Sequence, residues 1–228
     1  MELMAKTSLK KGSPNMFFNR ELSWIEFNKR VLEEAKDESN PLLERAKFLS
    51  IFSTNLDEFF MIRVSGVKRQ ILSDINELSS DGISPHELMD EIYAKLSPLV
   101  EEQYKIFNED VIPKLAENNI RFFKYEELTE EETKRIDKYF EDEIFPILTP
   151  LAIDNVHPFP NLINRSIALA IVLDDPDTEV IEEKVSVVQV PSNIVPRFYQ
   201  IDGRDENSFI LLEDIILANI DKLFPGMA

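Results

Sequence analysis

The apolar residues of this chain keep helical spacing for about a hundred positions and then abandon it. Trp24, Phe27, Val31 and Ala35 recur at steps of three and four, with Ile25 and Leu32 beside them. Leu42, Ala46, Leu49 and Phe52 make a second stripe, and Phe60, Val64, Val67, Ile71, Ile75 and Leu78 a third. Such stripes mark amphipathic helices, and helical signals dominate this stretch, so the first part is read as all-α. Past position 119 the pattern becomes short Ile- and Val-rich runs at 120–124, 166–173, 184–190 and 209–212, bounded by Pro, Asp and Asn. The chain is therefore read as α+β overall: an all-α helical N-terminal domain at 17–118, then an α+β domain with a small sheet at 119–228. A flexible tail at 1–16 precedes them.

Local signals agree with this division. Asn19 is an N-cap candidate before Glu21, and Asn40-Pro41 reads as a cap followed by proline in the first helical position. Ser84 with Glu87, and Thr129 with Glu132, have capping-box spacing. The helix after Ser84 is expected to run toward Asn118, kinked or divided at Pro98 and Pro113. The helix after Thr129 is expected to reach about Phe145, and a last helix covers 213–224.

Composition removes several classes of chemistry. There is no cysteine, which excludes disulfides, thiolate zinc sites and cysteine nucleophiles. The five glycines include no pair at phosphate-loop or dinucleotide-loop spacing. No apolar run approaches the roughly 18 residues of a membrane span; the longest, at 167–173, is far shorter. His86 and His157 stand alone, His86 at a helix start and His157 in a rigid His-Pro-Phe-Pro loop, where a structural role is favoured over a catalytic one. Asp174-Asp175-Pro176-Asp177 reads as a turn rather than a metal site.

Charge is unevenly distributed. Residues 1–79 hold 12 basic and 12 acidic side chains, whereas residues 80–228 hold 13 basic and 31 acidic ones. The whole net charge of −18 lies in the second part, which repels nucleic acid and other polyanions.

One stretch admits two readings. In Ser50-Ile51-Phe52-Ser53-Thr54-Asn55-Leu56-Asp57-Glu58-Phe59-Phe60, polar residues separate two apolar blocks. Thr54 or Asn55 would cap a helix whose first turn holds Asp57 and Glu58, where acids favour the helix dipole. An asparagine amide also offers one donor and one acceptor group, the equipment for reading a nucleobase.

These residues resemble a known family. The run at 19–35, beginning Asn19-Arg20-Glu21-Leu22-Ser23-Trp24, is similar to the opening of class 1 polyphosphate kinases. So are Pro41-Leu42-Leu43-Glu44-Arg45-Ala46-Lys47-Phe48-Leu49 and Ser53-Thr54-Asn55-Leu56-Asp57-Glu58-Phe59-Phe60-Met61-Ile62-Arg63-Val64. Weaker echoes follow at 146–151, 157–160, 190–198 and 211–216.

The resemblance implies an N-terminal domain and part of a head domain. In the family, the terminal phosphate of ATP passes reversibly to polyphosphate through a phosphohistidine. The catalytic histidine, the arginines linked to Mg2+ and the polyphosphate tunnel belong to C-terminal domains that this chain lacks. Neither His86 nor His157 matches that histidine, so the chain is expected to hold no catalytic or metal-binding residue and to be inactive alone. Asn55 matches the asparagine that contacts the nucleotide. Expected partners are ATP and ADP, a second copy in a homodimer or homotetramer, and polyphosphate through the missing domains, with no nucleic acid. The expected location is the cytoplasm, or its periphery at the inner membrane. The alternative is a non-catalytic dimerisation or regulatory module.

Overall fold

The computed structural model describes residues 17–75, 77–153, 159–173 and 184–225. The expected tail at 1–16, His157 and the turn at 174–177 lie outside them. The chain divides into two compact units between Lys114 and Leu115.

The first unit is helical. Helix α1 (Arg20–Lys36) starts because Asn19, in extended backbone, accepts bonds from the Glu21 and Leu22 N–H groups. Its buried stripe is Ile25, Asn28, Leu32 and Ala35, one position round from the expected one, and Phe27 is left 47% exposed. Helix α2 (Leu42–Phe59) follows. Asn40 does not cap it: the Asn40 amide instead donates to the Glu34 carbonyl at 2.9 Å, one of the orphan acceptors at the end of α1.

The expected helix boundary at Thr54 and Asn55 is absent. α2 runs through both residues and passes by a π-helical turn (Phe60–Val64) into α3 (Ser65–Leu72). The reason is the phase of the apolar stripe. Leu49, Phe52, Leu56 and Phe59 are buried, and so are Val64 and Val67. In an α-helix the five-residue step from Phe59 to Val64 would rotate the stripe by about 140°. The wider turn returns both residues to the same side. Asp57 and Glu58 thus stand at the end of α2, not in a first turn.

α3 stops at Leu72, short of Ile75 and Leu78. Asp74 takes a left-handed conformation (φ 52°), and the Ile75 N–H reaches back to the Gln70 carbonyl at 3.0 Å. That closure ends a helix as glycine usually does. Ile75 and Leu78 are consequently exposed.

Helix α4 (Pro85–Ile106) opens on the expected capping box, with Ser84 and Glu87 bonded reciprocally. Pro98 lies inside it without ending it. A π-helical turn (Phe107–Val111) separates α4 from α5 (Ile112–Glu117). There the Ile112 N–H bonds the Phe107 carbonyl, a spacing that accommodates the N–H missing at Pro113. Ile25, Leu32, Phe52, Phe59, Ile92 and Val111 are almost wholly buried in this unit. Each contributes roughly 1.5–3 kcal/mol by leaving water.

The second unit is α+β. The small sheet expected there is two sheets of three strands. One has the order β1 (Arg121–Phe123), β6 (Ser208–Leu211), β5 (Phe198–Gln200), with β1 parallel and β5 antiparallel to β6. The other is antiparallel, in the order β2 (Pro150–Ile153), β4 (Lys184–Gln189), β3 (Ala168–Leu173). Helix α6 (Glu130–Tyr139) opens on the Thr129–Glu132 capping box, then widens into a π-helical turn (Phe140–Ile144). The last helix is two pieces, α7 (Leu212–Ala218) and α8 (Ile220–Leu223). Buried Asn219 stands between them, its amide bonded to the Ile215 carbonyl and the Asp137 carboxylate. Ile136, Phe140, Ile144, Ile210, Leu212 and Ile215 form the centre of this unit's core.

Candidate functional site

The first unit places Asn55 in a cleft of about 150 Å³ with Trp24, Glu58, Phe59, Ile62 and Arg63. Three features of the fold shape it. Trp24 comes from α1 and stacks on Phe59 of α2, with ring centroids 4.2 Å apart and planes 7° from parallel. Asn55 stands one turn before Phe59 on the same helix. The π-helical turn then carries Ile62 and Arg63 round to the cleft.

Asn55 is half-buried and does not swing freely. Its Nδ2 donates to Asn28 Oδ1 at 2.9 Å, and Asn28 Nδ2 donates to the Phe52 carbonyl at 3.2 Å. The carbonyl can only accept, so it fixes which way the Asn28 amide faces, and Asn28 in turn fixes Asn55. One Asn55 N–H is used in this relay. The other N–H and the carbonyl oxygen remain for a ligand. The arrangement combines a flat aromatic border, an oriented amide and a guanidinium.

Asn28 is the residue that sequence reasoning missed. It is wholly buried and interrupts the apolar stripe between Ile25 and Leu32. That interruption was its only sequence signal. A buried polar group needs partners, and here Asn55 and Phe52 supply them.

The other candidates lie apart from this cleft. His86 is exposed at the second position of α4. Among the described residues no group of three His, Asp or Glu side chains is placed to hold a metal ion. Among the same residues no helix is long and apolar enough to cross a membrane.

A second cleft of about 580 Å³ adjoins the first and shares Ile62 and Arg63 with it. Arg20, Glu21, Arg69, Gln70, Ser73 and Ser79 supply its polar lining. Arg20 donates to Glu21 Oε1 from Nε (3.0 Å) and Nη2 (2.8 Å).

Sequence profiles of the polyphosphate kinase N-terminal domain and of the polyphosphate kinase middle domain match residues 17–123 and 131–228. The chain belongs to the polyphosphate kinase family. A polyphosphate kinase of Halalkalibacterium halodurans is 43% identical over 227 residues, which are 99% of this chain and 32% of that protein. One from Streptomyces coelicolor is 44% identical over 92% of this chain and 28% of its own length. The crystal structure of polyphosphate kinase from Porphyromonas gingivalis superposes with a TM-score of 0.79 at 30% identity, covering 93% of this chain and 31% of that one. This chain therefore spans about a third of the length of the relatives it matches.

Proposed function

We propose that this chain is the nucleotide-contacting, non-catalytic part of a kinase that reversibly moves the terminal phosphate of ATP to polyphosphate through a phosphohistidine. The observation that carries the reading is the Phe52–Asn28–Asn55 relay. It holds one amide still and directs its free donor and acceptor groups at a cleft bordered by Trp24. An asparagine amide is a good partner for the adjacent donor and acceptor of adenine, and an indole border suits a flat base.

Phosphoryl transfer depends on positioning and on charge stabilisation. Fixing the base helps to place the triphosphate, while Mg2+ and the reacting histidine belong to other parts of the enzyme. When bound, ATP would supply the phosphoryl group. This chain's residues would bind and orient the base. The chain alone is expected to transfer no phosphate. A homodimer or homotetramer, working in the cytoplasm or at the inner membrane surface, completes the reading.

Amide-resolved NMR during an ATP titration tests it. The Asn55 side-chain N–H signals should shift in the wild type, and the ATP-induced shifts of the backbone amides around the cleft should be lost in Asn55→Asp. Unmoved Asn55 signals at millimolar ATP would contradict nucleotide contact, and a labelled phosphohistidine on this chain alone would contradict its inactivity.

The alternative, an interaction module, is favoured by one observation. Phe122, Phe198 and Phe209 form a ring cluster on the β1–β6–β5 sheet, with centroids 5.7–6.4 Å apart, and Phe198 is 51% exposed. Exposed aromatic clusters of this kind suit protein contacts.

A further inference from the structure

We propose that the larger cleft of the first unit is a subsite for condensed phosphate, engaged by Arg63 and Arg69 with Arg20 at its border. The inference rests on the nucleotide reading only in its choice of ligand; the cleft itself is an independent feature.

Its size lies within the roughly 300–1,000 Å³ of ligand clefts. Its cations are available. Among the described residues neither Arg63 nor Arg69 has a carboxylate at ion-pair distance, whereas Arg20 is partly neutralised by Glu21. Arginine suits phosphate because its planar fork donates two parallel bonds to two oxygens. Arg63 and Arg69 both line the cleft, and two guanidinium groups at one cleft suit a ligand that carries several anionic groups. Gln70, Ser73 and Ser79 add neutral polar groups to the lining. The first part also lacks the strong negative excess of the rest, because residues 1–79 carry balanced charge while the net −18 lies beyond them.

The phosphates could be those of a nucleotide whose base sits at Asn55, since the two clefts share Arg63, or those of a separate polyphosphate chain. The chemistry at the arginines is the same in both cases, and competition separates them.

The experiment is calorimetric titration of this chain with inorganic tripolyphosphate, with ATP and with adenosine, in the wild type, the double variant Arg63→Gln/Arg69→Gln, and Lys68→Gln. Lys68 is an exposed cation of α3 that does not line the cleft. Tripolyphosphate should bind the wild type, lose about tenfold or more in affinity in the double variant, and be little affected by Lys68→Gln. Adenosine affinity should not change in Lys68→Gln, because Lys68 lines neither cleft. If saturating ATP excludes tripolyphosphate, the subsite takes the nucleotide's phosphates; if both bind together, it takes a second chain. Tripolyphosphate affinity within twofold of wild type in the double variant would overturn the proposal. So would an equal loss from Lys68→Gln, which would mark diffuse surface attraction. Failure of adenosine to bind while tripolyphosphate still does would sink the base reading and leave this one standing.

Discussion

Asn28 Oδ1 accepts a hydrogen bond from Asn55 Nδ2 at 2.9 Å, and this bond joins the core of the first unit to its cleft. Asn28 is fully buried and anchored to the Phe52 carbonyl, so the cleft-lining amide of Asn55 is oriented from inside the protein. Asn28→Ala should weaken both properties at once. Lost hydrogen bonds and a small cavity should cost about 1–3 kcal/mol in urea denaturation. Nucleotide affinity should fall as well, although Asn28 itself lies behind Asn55. Stability lost with affinity unchanged would show that Asn55 does not need its anchor.

Gly66 sits in the continuous helical run between the π-helical turn and Leu72, and a Cβ built there meets nothing within 4 Å. Glycine costs a helix roughly 0.5–1 kcal/mol relative to alanine. Gly66→Ala should therefore raise stability by about that amount in thermal denaturation. Because Gly66 also lines the larger cleft, the variant tests whether added bulk disturbs anion binding. A destabilised variant would mean that the helix is not continuous there.

Glu132 is buried and receives the Arg204 guanidinium at 2.6 and 2.8 Å while closing the capping box with Thr129. The Arg204 bonds, with those from Thr129, hold its carboxyl down to about 2, below the ordinary 4.5. A carboxyl depressed by folding stabilises the native state above its unfolded pKa, and that contribution is lost as pH falls through the folded value. The contribution of Glu132 should be complete above about 4.5 and disappear toward about 2. Glu132→Gln keeps a group that can close the box but leaves Arg204 without its counter-charge. It should cost about 1–3 kcal/mol at neutral pH and flatten the pH dependence of stability in that window. An unchanged acid limb in the variant would assign the pH dependence to other carboxyls.

The parts of the fold that depend on neighbours in sequence were legible. Both capping boxes are local patterns, and Ser84 and Thr129 start their helices as read. The Ile- and Val-rich runs became β3, β4 and β6 with ends shifted by one or two residues. The parts that depend on packing were not. β2 begins at Pro150 and β5 is three residues long, so neither shows a strand period. Thr54 and Asn55 carry every local mark of a cap, yet the burial of Leu56, Phe59 and Val64 keeps the helix running through them. Asn55 stood out in the sequence by its chemistry and its family resemblance. Asn28, which orients it, was hidden because a polar residue in an apolar stripe reads as noise until its partners are seen.

Trp24 is the only tryptophan of the chain and borders the cleft, so its fluorescence reports directly on the central claim. The measurement is a titration of Trp24 emission with adenosine, in the wild type and in Asn55→Asp. A base seated beside the indole should change the emission saturably, and Asn55→Asp, which replaces the N–H donors by an acceptor, should weaken the response about tenfold or more. Emission that does not respond to adenosine, or responds equally in both proteins, would contradict the assignment of Asn55 and Trp24 to a nucleotide cleft.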